Sequence, residues 1–438
     1  MRFASRANPR QAVSFREALF TGLAPEGGLY HPVERPDLSD LFPSFDDATP
    51  FSVLASRTLE RLLAPELSAP DVERIARRAF TFTPVLSRLD GRITLVELFH
   101  GPSFAFKDFG AQFLAAAMED FLGREAGRIQ ILVATSGDTG SAVAQAFFQK
   151  RNIDVVILYP SGRVSDLQEK QLTTLGGNVH ALEIAGTFDD CQRLVKEAFQ
   201  DATLRSRLRL TSANSINIGR LLPQSLYYIF AAAHRGMLGD RTPLICVPSG
   251  NFGNLTAGVY AWHWGLAVRG FIAATNVNDV VPVYLETGRF VPRPSAATLS
   301  NAMDVGNPSN FERLEEIFSR DWRDMAAEIR GASVNDQRTL ETIRDVHAAT
   351  GIFIDPHTAV GVAAARAVLA SSMDLAEHPV LVLSTAHPGK FSETVRKATG
   401  SAPALPEKLA ACLSLPKRSV PLGKTLPELS KFLLGTFG

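Results

Sequence analysis

Residues 242–254 read T-P-L-I-C-V-P-S-G-N-F-G-N, and the folding of this stretch decides the architecture of the chain. It opens a span, 242–268, with no Asp, Glu, Lys or Arg over 27 positions, long enough to raise a bilayer crossing. The polar, glycine-broken centre excludes that reading, because its backbone groups would be left unpaired in hydrocarbon. The run reads instead as a short buried strand, 242–248, leading through a glycine turn into a helix. Continuous apolar strands of this kind belong to parallel sheets covered on both faces.

The same pattern recurs along the chain. Candidate strands at 93–99, 129–135, 154–160, 178–184, 270–275 and 379–385 alternate with helical segments such as 141–152, 188–202 and 335–351. This predicts an α/β fold with two doubly wound parallel-sheet lobes. Residues 1–85 read as a mostly helical N-terminal domain, with helices near 14–20, 51–63 and 71–80. The division expected is 1–85, then 86–400 with a smaller lobe of roughly 125–225 inserted in the larger, then a proline-punctuated surface tail, 401–438. Residues 286–310 form a loop-like insertion of a length that is usually functional or mobile.

Forty-five Lys and Arg balance 45 Asp and Glu, so no net field attracts nucleic acid or an anionic membrane. An anionic substrate must be held by local groups. The three cysteines, Cys191, Cys246 and Cys412, form no CxxC pair, and the histidines show no HExxH spacing. Neither a disulfide framework nor a structural metal is expected, and a reducing, cytoplasmic setting fits. The N-terminal MRFASRANPRQAVSF has no apolar signal core.

Three strand-to-helix turns are chemically pointed: A-T-S-G-D-T-G-S-A (134–142), P-S-G-N-F-G-N (248–254) and L-S-T-A-H-P-G-K-F (383–391). In doubly wound sheets ligands gather at the carboxyl ends of strands, where helix N-termini offer free N–H groups. The 248–254 turn suits a phosphate. It lacks the lysine of a nucleoside-triphosphate loop and the GxGxxG dinucleotide pattern, and many such turns merely connect a strand to a helix.

A fourth stretch, F-H-G-P-S-F-A-F-K-D-F (99–109), places Lys107 among four phenylalanines at the start of a helix with apolar positions 106, 109, 113, 117 and 121 on one face. Burial and the positive helix end both disfavour the ammonium form, and a neutral lysine is a nucleophile toward aldehydes. The alternative is a lysine whose stem covers phenylalanine while its head reaches solvent or Asp108. A buried lysine beside a phosphate cradle is the pair that pyridoxal 5′-phosphate requires.

With these residues assembled, the chain resembles the threonine synthase family of fold-type II pyridoxal-phosphate enzymes, related to the tryptophan synthase β chain. The resemblance rests on S-F-R-E-A-L-F-T-G-L-A-P-E-G-G-L-Y near the start, H-G-P-S-F-A-F-K-D-F, S-G-N-F-G-N and S-T-A-H-P-G-K-F, in that order. It implies a tryptophan synthase β-like fold and conversion of O-phospho-L-homoserine and water to L-threonine and phosphate, the last step of threonine biosynthesis. It implies that Lys107 binds the cofactor covalently and shuttles protons, with Phe104 and Phe106 walling the site. Gly250, Asn251, Phe252, Gly253 and Asn254 would hold the cofactor phosphate, and Thr385 would face the ring nitrogen. Thr135, Ser136, Gly137, Asp138 and Thr139 would bind the substrate α-carboxylate; Asp138 reads equally as a helix cap. Asn214, Asn217 and Arg220, near a helix start, would bind the substrate, with Arg220 as the clamp for its phosphate and a surface salt bridge as the alternative for Arg220. Lys390, His387 and Arg163 are further cationic candidates. A dehydratase, phospho-lyase or β-replacement synthase on the same fold is disfavoured by the N-terminal signature and the lysine motif. A monomer or weak homodimer is expected.

Overall fold

The structure, a computed structural model, describes residues 1–124, 127–135, 137–239 and 241–438. Its strands are β1 (Phe3–Ser5), β2 (Tyr30–Pro32), β3 (Val85–Arg88), β4 (Ile93–Glu97), β5 (Ile129–Ala134), β6 (Ile153–Pro160), β7 (Val179–Ile184), β8 (Leu210–Ser212), β9 (Leu244–Pro248), β10 (Gly270–Thr275), β11 (Ile329–Ser333), β12 (Val380–Ser384) and β13 (Ser419–Leu422). β1 and β2 form a small antiparallel pair. The larger sheet has the order β11-β10-β9-β12-β4-β3, parallel except for β3. The smaller runs β13-β7-β6-β5-β8 and is parallel throughout.

The strands that the sequence marks are the central ones, where every residue of β5, β6, β9, β10 and β12 is buried. Three of the strands it leaves unmarked, β3, β11 and β13, are short edge segments with most of their residues exposed or half-exposed, and the others, β1, β2 and β8, are only three residues long. Such edges carry no apolar run to detect, because one side of each faces water.

Helices Phe15–Thr21, Phe51–Leu63 and Ala69–Ala79 build the N-terminal region. Ser68 caps the third by accepting from the Asp71 N–H, and Val72, Ile75, Ala76 and Ala79 form its buried stripe at helical spacing. Phe51 packs edge-on against Phe80, Phe109 and Phe230 at 5.2, 5.4 and 5.5 Å. That cluster joins the N-terminal helices to helix Lys107–Leu122. The sequence marks a single apolar face on this helix, but the structure buries it almost all round. Its alanines let it pack against Ala69–Ala79, Asp138–Phe147 and the turn Ile218–Leu221 together.

Beyond residue 400 the chain supplies β13 and helix Leu426–Phe437, whose Leu429 and Leu433 are fully buried with Leu182, Leu194 and Leu204 of the smaller lobe. Leu433→Ala is expected to cost about 2–5 kcal/mol, read as a lower urea midpoint. No helix among the described residues is long and apolar enough to cross a membrane.

Candidate active site

Strands β4, β9 and β12 of the larger sheet and β5 of the smaller one send their carboxyl ends toward one region. The loops after β4 and β12 are stitched together. Ala105 bridges Ala386, Phe106 N–H donates to the Thr385 carbonyl at 2.8 Å, and His387 N–H donates to the Phe104 carbonyl at 3.1 Å. Phe104 takes a left-handed φ of 58° to make this turn, a strained conformation for a bulky residue. Lys107 is thereby set at the first position of its helix, beside Thr385.

The four phenylalanines do not enclose the lysine. Phe109 points into the core with Phe82 and Tyr227, and Phe99 and Phe104 lean on His387. Only the Phe106 ring meets Lys107 Nζ, 4.6 Å from its centroid. The Lys107 side chain is 17% exposed, and its closest carboxylate oxygen is Asp138 Oδ2 at 3.9 Å, too long for a hydrogen bond. Burial pushes the Lys107 amine below its ordinary pKa. Asp138 opposes that shift, while the cations Lys390 and Arg220 add to it.

Asp138 opens helix Asp138–Phe147 and is bound elsewhere. Lys390 Nζ, fully buried, stands 2.6 Å from Asp138 Oδ1 and donates to the Ser103 carbonyl at 2.9 Å, while Gln168 Nε2 donates to Asp138 Oδ1 at 3.2 Å. Burial alone would raise the Asp138 carboxyl, but Lys390 and Lys107 outweigh it and hold it well below the usual range. Thr135 Oγ1 accepts from Gly137 N–H at 3.1 Å and Gly140 N–H at 2.9 Å, folding the turn on itself. Thr139 is half-buried, and the Asp138 and Thr139 N–H groups have no acceptor among the described residues. Ser136 lies outside the described residues.

Asp108 tucks under the preceding turn, accepting from Ser103 N–H at 2.8 Å, and Oδ1 has no partner among the described residues. Burial pushes its pKa up to about 7. Between the ordinary carboxyl pKa near 4 and that value the folded chain binds a proton that the unfolded chain does not. This group therefore lowers stability as pH rises through that window, by about 1.4 kcal/mol per pH unit at most. Asp108→Asn is expected to flatten that slope in urea denaturation between pH 4 and 7.

The turn after β9 is a row of donors. None of the backbone N–H groups from Gly250 to Asn254 has a protein acceptor among the described residues. Phe252 holds a left-handed φ of 61° immediately before helix Gly253–His263, which aims the first N–H groups outward. The side chains of the same stretch face inward. Asn254 Oδ1 accepts from Ser249 Oγ at 2.6 Å, and its Nδ2 donates to the Pro248 carbonyl at 2.9 Å. Asn251 accepts from Ser309 N–H at 2.7 Å and donates to Ser215 Oγ at 3.0 Å.

The segment after β8 links this turn to the smaller lobe. Asn214 Nδ2 donates to the Ala134 carbonyl at 3.0 Å, and Asn217 Nδ2 donates to the Leu19 and Ser212 carbonyls at 2.9 and 3.0 Å. Both amides are taken by backbone. Arg220 is 2% exposed; Nη1 donates to the Ala213 carbonyl, but Nε has no partner among the described residues. Burial lowers its pKa to about 10, which leaves it charged. Gly110 admits this turn: a Cβ there would stand 2.3 Å from the Arg220 carbonyl oxygen. Arg163 is exposed, and His387 Nδ1 accepts from Gly389 N–H at 3.0 Å. Ser215, Gln168 and Ser103 are polar groups here that sequence reasoning passed over, having no spacing to mark them.

The family described as pyridoxal-phosphate dependent enzyme matches residues 77–385, threonine synthase N terminus matches 2–80, and threonine synthase, C-terminal matches 358–433. The threonine synthase of Serratia marcescens is 43% identical over 428 residues, covering 97% of each chain. The chain belongs to the threonine synthase family. Among solved structures, the pyridoxal-phosphate-bound threonine synthase of Brucella melitensis is similar with a TM-score of 0.93 and 36% identity, covering 100% of this chain and 99% of that one. The Escherichia coli threonine synthase is similar at 0.90 and 41%, covering 100% of both. The two lobes are those of the fold-type II pyridoxal-phosphate enzymes. As a threonine synthase it depends on pyridoxal phosphate and makes L-threonine and phosphate from O-phospho-L-homoserine and water.

Proposed function

We propose that in this reaction Lys107 is the cofactor-bearing lysine and the proton-transfer group, and that the Gly250–Asn254 N–H groups hold the cofactor phosphate. The observation that carries this reading is the meeting, at one sheet edge, of a buried amine with no short ion pair and a row of N–H groups without acceptors among the described residues. Asn251 and Asn254 then shape the cradle through their side chains. Thr385, 5% exposed with no side-chain hydrogen bond among the described residues, would face the ring nitrogen. A hydroxyl there does not force a proton onto the ring.

When bound, pyridoxal phosphate supplies an electron sink for charge developing at the substrate Cα. Lys107, its ammonium form disfavoured by burial, takes the Cα proton and returns one when the product forms. The N–H groups of Asp138 and Thr139 and the positive end of their helix would receive the α-carboxylate, with the Thr135–Thr139 turn as its wall. The Asp138 carboxylate itself serves Lys390, since it would repel another carboxylate. Arg220 would clamp the substrate phosphate, its free Nε supporting the assignment, with Asn214 and Asn217 fixing the turn that carries it. Phe106 shields the Lys107 amine from water.

Residues 1–85 and 86–400 would act as N-terminal and cofactor-binding units, with 401–438 closing the smaller lobe through β13 and helix Leu426–Phe437 instead of trailing over the surface as a tail. Free cysteines at 191, 246 and 412 support a reducing, cytoplasmic setting. A monomer or weak homodimer is expected in light scattering. The decisive assay supplies pyridoxal phosphate and O-phospho-L-homoserine and measures phosphate and threonine, expected one for one; 2-oxobutyrate in place of threonine would mark elimination alone. Arg220→Gln is expected to raise KM about ten- to hundredfold, from lost charge-assisted hydrogen bonds. An unchanged KM would remove Arg220 from the substrate phosphate.

A further inference from the structure

The phosphate turn is shaped from outside its own sheet. Gly250 lies under the short turn Asn301–Met303 so closely that a Cβ there would stand 2.6 Å from Met303 Cα and 2.9 Å from the Ala302 carbonyl oxygen. What seats that turn is a buried pair beyond it. Ala302 N–H donates to His357 Nε2 at 3.2 Å, and His357 Nδ1 lies 2.7 Å from Asp355 Oδ1. A backbone N–H only donates, so Nε2 is the bare, accepting nitrogen. The ring proton therefore sits on Nδ1 and is donated to Asp355.

Asp355 is itself fixed. It caps helix Pro356–Ser371, accepting from the His357 and Thr358 N–H groups at 2.9 and 3.4 Å and from the Thr358 hydroxyl. Thr358 Oγ1 in turn lies 2.9 Å from Ser384 Oγ, at the end of β12 and next to Thr385. The His357 ring stands edge-on to Phe391 at 5.0 Å. Asp355, His357, Thr358 and Ser384 are each at most 3% exposed, and the reaction uses none of them. The far end of the turn has a separate anchor in Asp304, which accepts from Thr298 Oγ1 at 2.7 Å and Asn276 Nδ2 at 2.9 Å.

We propose that Asp355 and His357 are positioning residues for the cofactor phosphate: neutral His357, protonated on Nδ1, latches the Asn301–Met303 turn onto Gly250 and so fixes the shape of the N–H row. This rests on the reading of Gly250–Asn254 as the phosphate cradle. Because Asp304 holds the other end, losing the latch loosens the cradle without unmaking it.

The test compares holoenzyme resolved and reconstituted with pyridoxal 5′-phosphate or with pyridoxal, which has no phosphate. His357→Phe is expected to weaken phosphate-form binding about five- to tenfold, the worth of one hydrogen bond, and to leave pyridoxal binding unchanged. Ala302→Pro deletes the same bond from the donor side, and the double variant is expected to be no weaker than either single one. Nitrogen-15 spectra of the wild-type holoenzyme, which need no variant, are expected to show His357 protonated on Nδ1 alone. Equal losses for both forms, additive losses, or a proton on Nε2 would overturn the latch. Gly250→Ala separates the two readings. If it discriminates against the phosphate form while His357→Phe does not, the cradle stands and the latch falls; if neither discriminates, both fall.

Discussion

Lys107→Ala is expected to abolish threonine formation, lowering turnover by about 10³- to 10⁴-fold or more, because one amine is asked both to bind the cofactor and to move protons. The neighbouring amine cannot take its place: Lys390 Nζ is fully buried and already bound by Asp138 at 2.6 Å and Ser103 at 2.9 Å. The fold should survive, since Lys107 makes no short ion pair among the described residues and the Asp138–Lys390 pair remains. Cofactor should still associate through the N–H row but without a covalent link. Borohydride treatment followed by mass measurement reads this directly: the wild-type chain gains the cofactor's mass and the variant does not. Small primary amines added to the variant should restore part of the turnover. A variant that kept both its covalent cofactor and its activity would end the assignment.

Lys390→Met should have the next largest effect, on two independent readouts. Asp138 would stay buried with Gln168 at 3.2 Å and Lys107 at 3.9 Å as its remaining partners, and breaking a buried pair in this way costs about 3–5 kcal/mol. The pH dependence follows from the sign of the Asp138 shift. A carboxyl held below its unfolded pKa contributes stability that is present above about pH 4 and is lost as pH falls toward the folded value. Without Lys390 that folded value rises, so acid unfolding should begin at higher pH. Lys107 also loses a cation that helps hold its own pKa down, so the activity profile should move to the alkaline side. A variant with the wild-type acid midpoint and pH profile would leave Lys390 a packing residue.

The sequence made the sheet centres and the donor turns legible, because both depend on local pattern: continuous apolar runs such as Val380–Ser384, and glycine turns directly after them. Lys107 was legible as an anomaly, a cation in apolar company. Its phenylalanines misled, since alternate positions point to opposite sides of the backbone and Phe109 belongs to the N-terminal core. The turn that carries Asp138 is legible as a carboxylate-binding wall, but the role of the Asp138 side chain is not. The partner that claims it, Lys390, comes from another lobe, and nothing near either residue records the pairing. His357 was invisible for the same reason: D-P-H reads as a helix cap, and only the folded chain shows what its ring holds.

The strand order also bears on how the protein is made. β12 lies between β9 and β4 at the middle of the larger sheet, yet a ribosome makes it after β3, β4, β9, β10 and β11. β13 completes the smaller sheet beside β7 and is made later still. The larger sheet cannot close on a nascent chain until β12, which ends at Ser384, has emerged, so β4 and β9 wait for their shared neighbour through most of translation, whereas β5, β6, β7 and β8 can pair earlier and β13 adds only their last edge. Holdase chaperones should therefore bind this chain heavily during synthesis and release it only after β12 clears the exit tunnel, which makes the catalytic centre one of the last parts of the molecule to come into being.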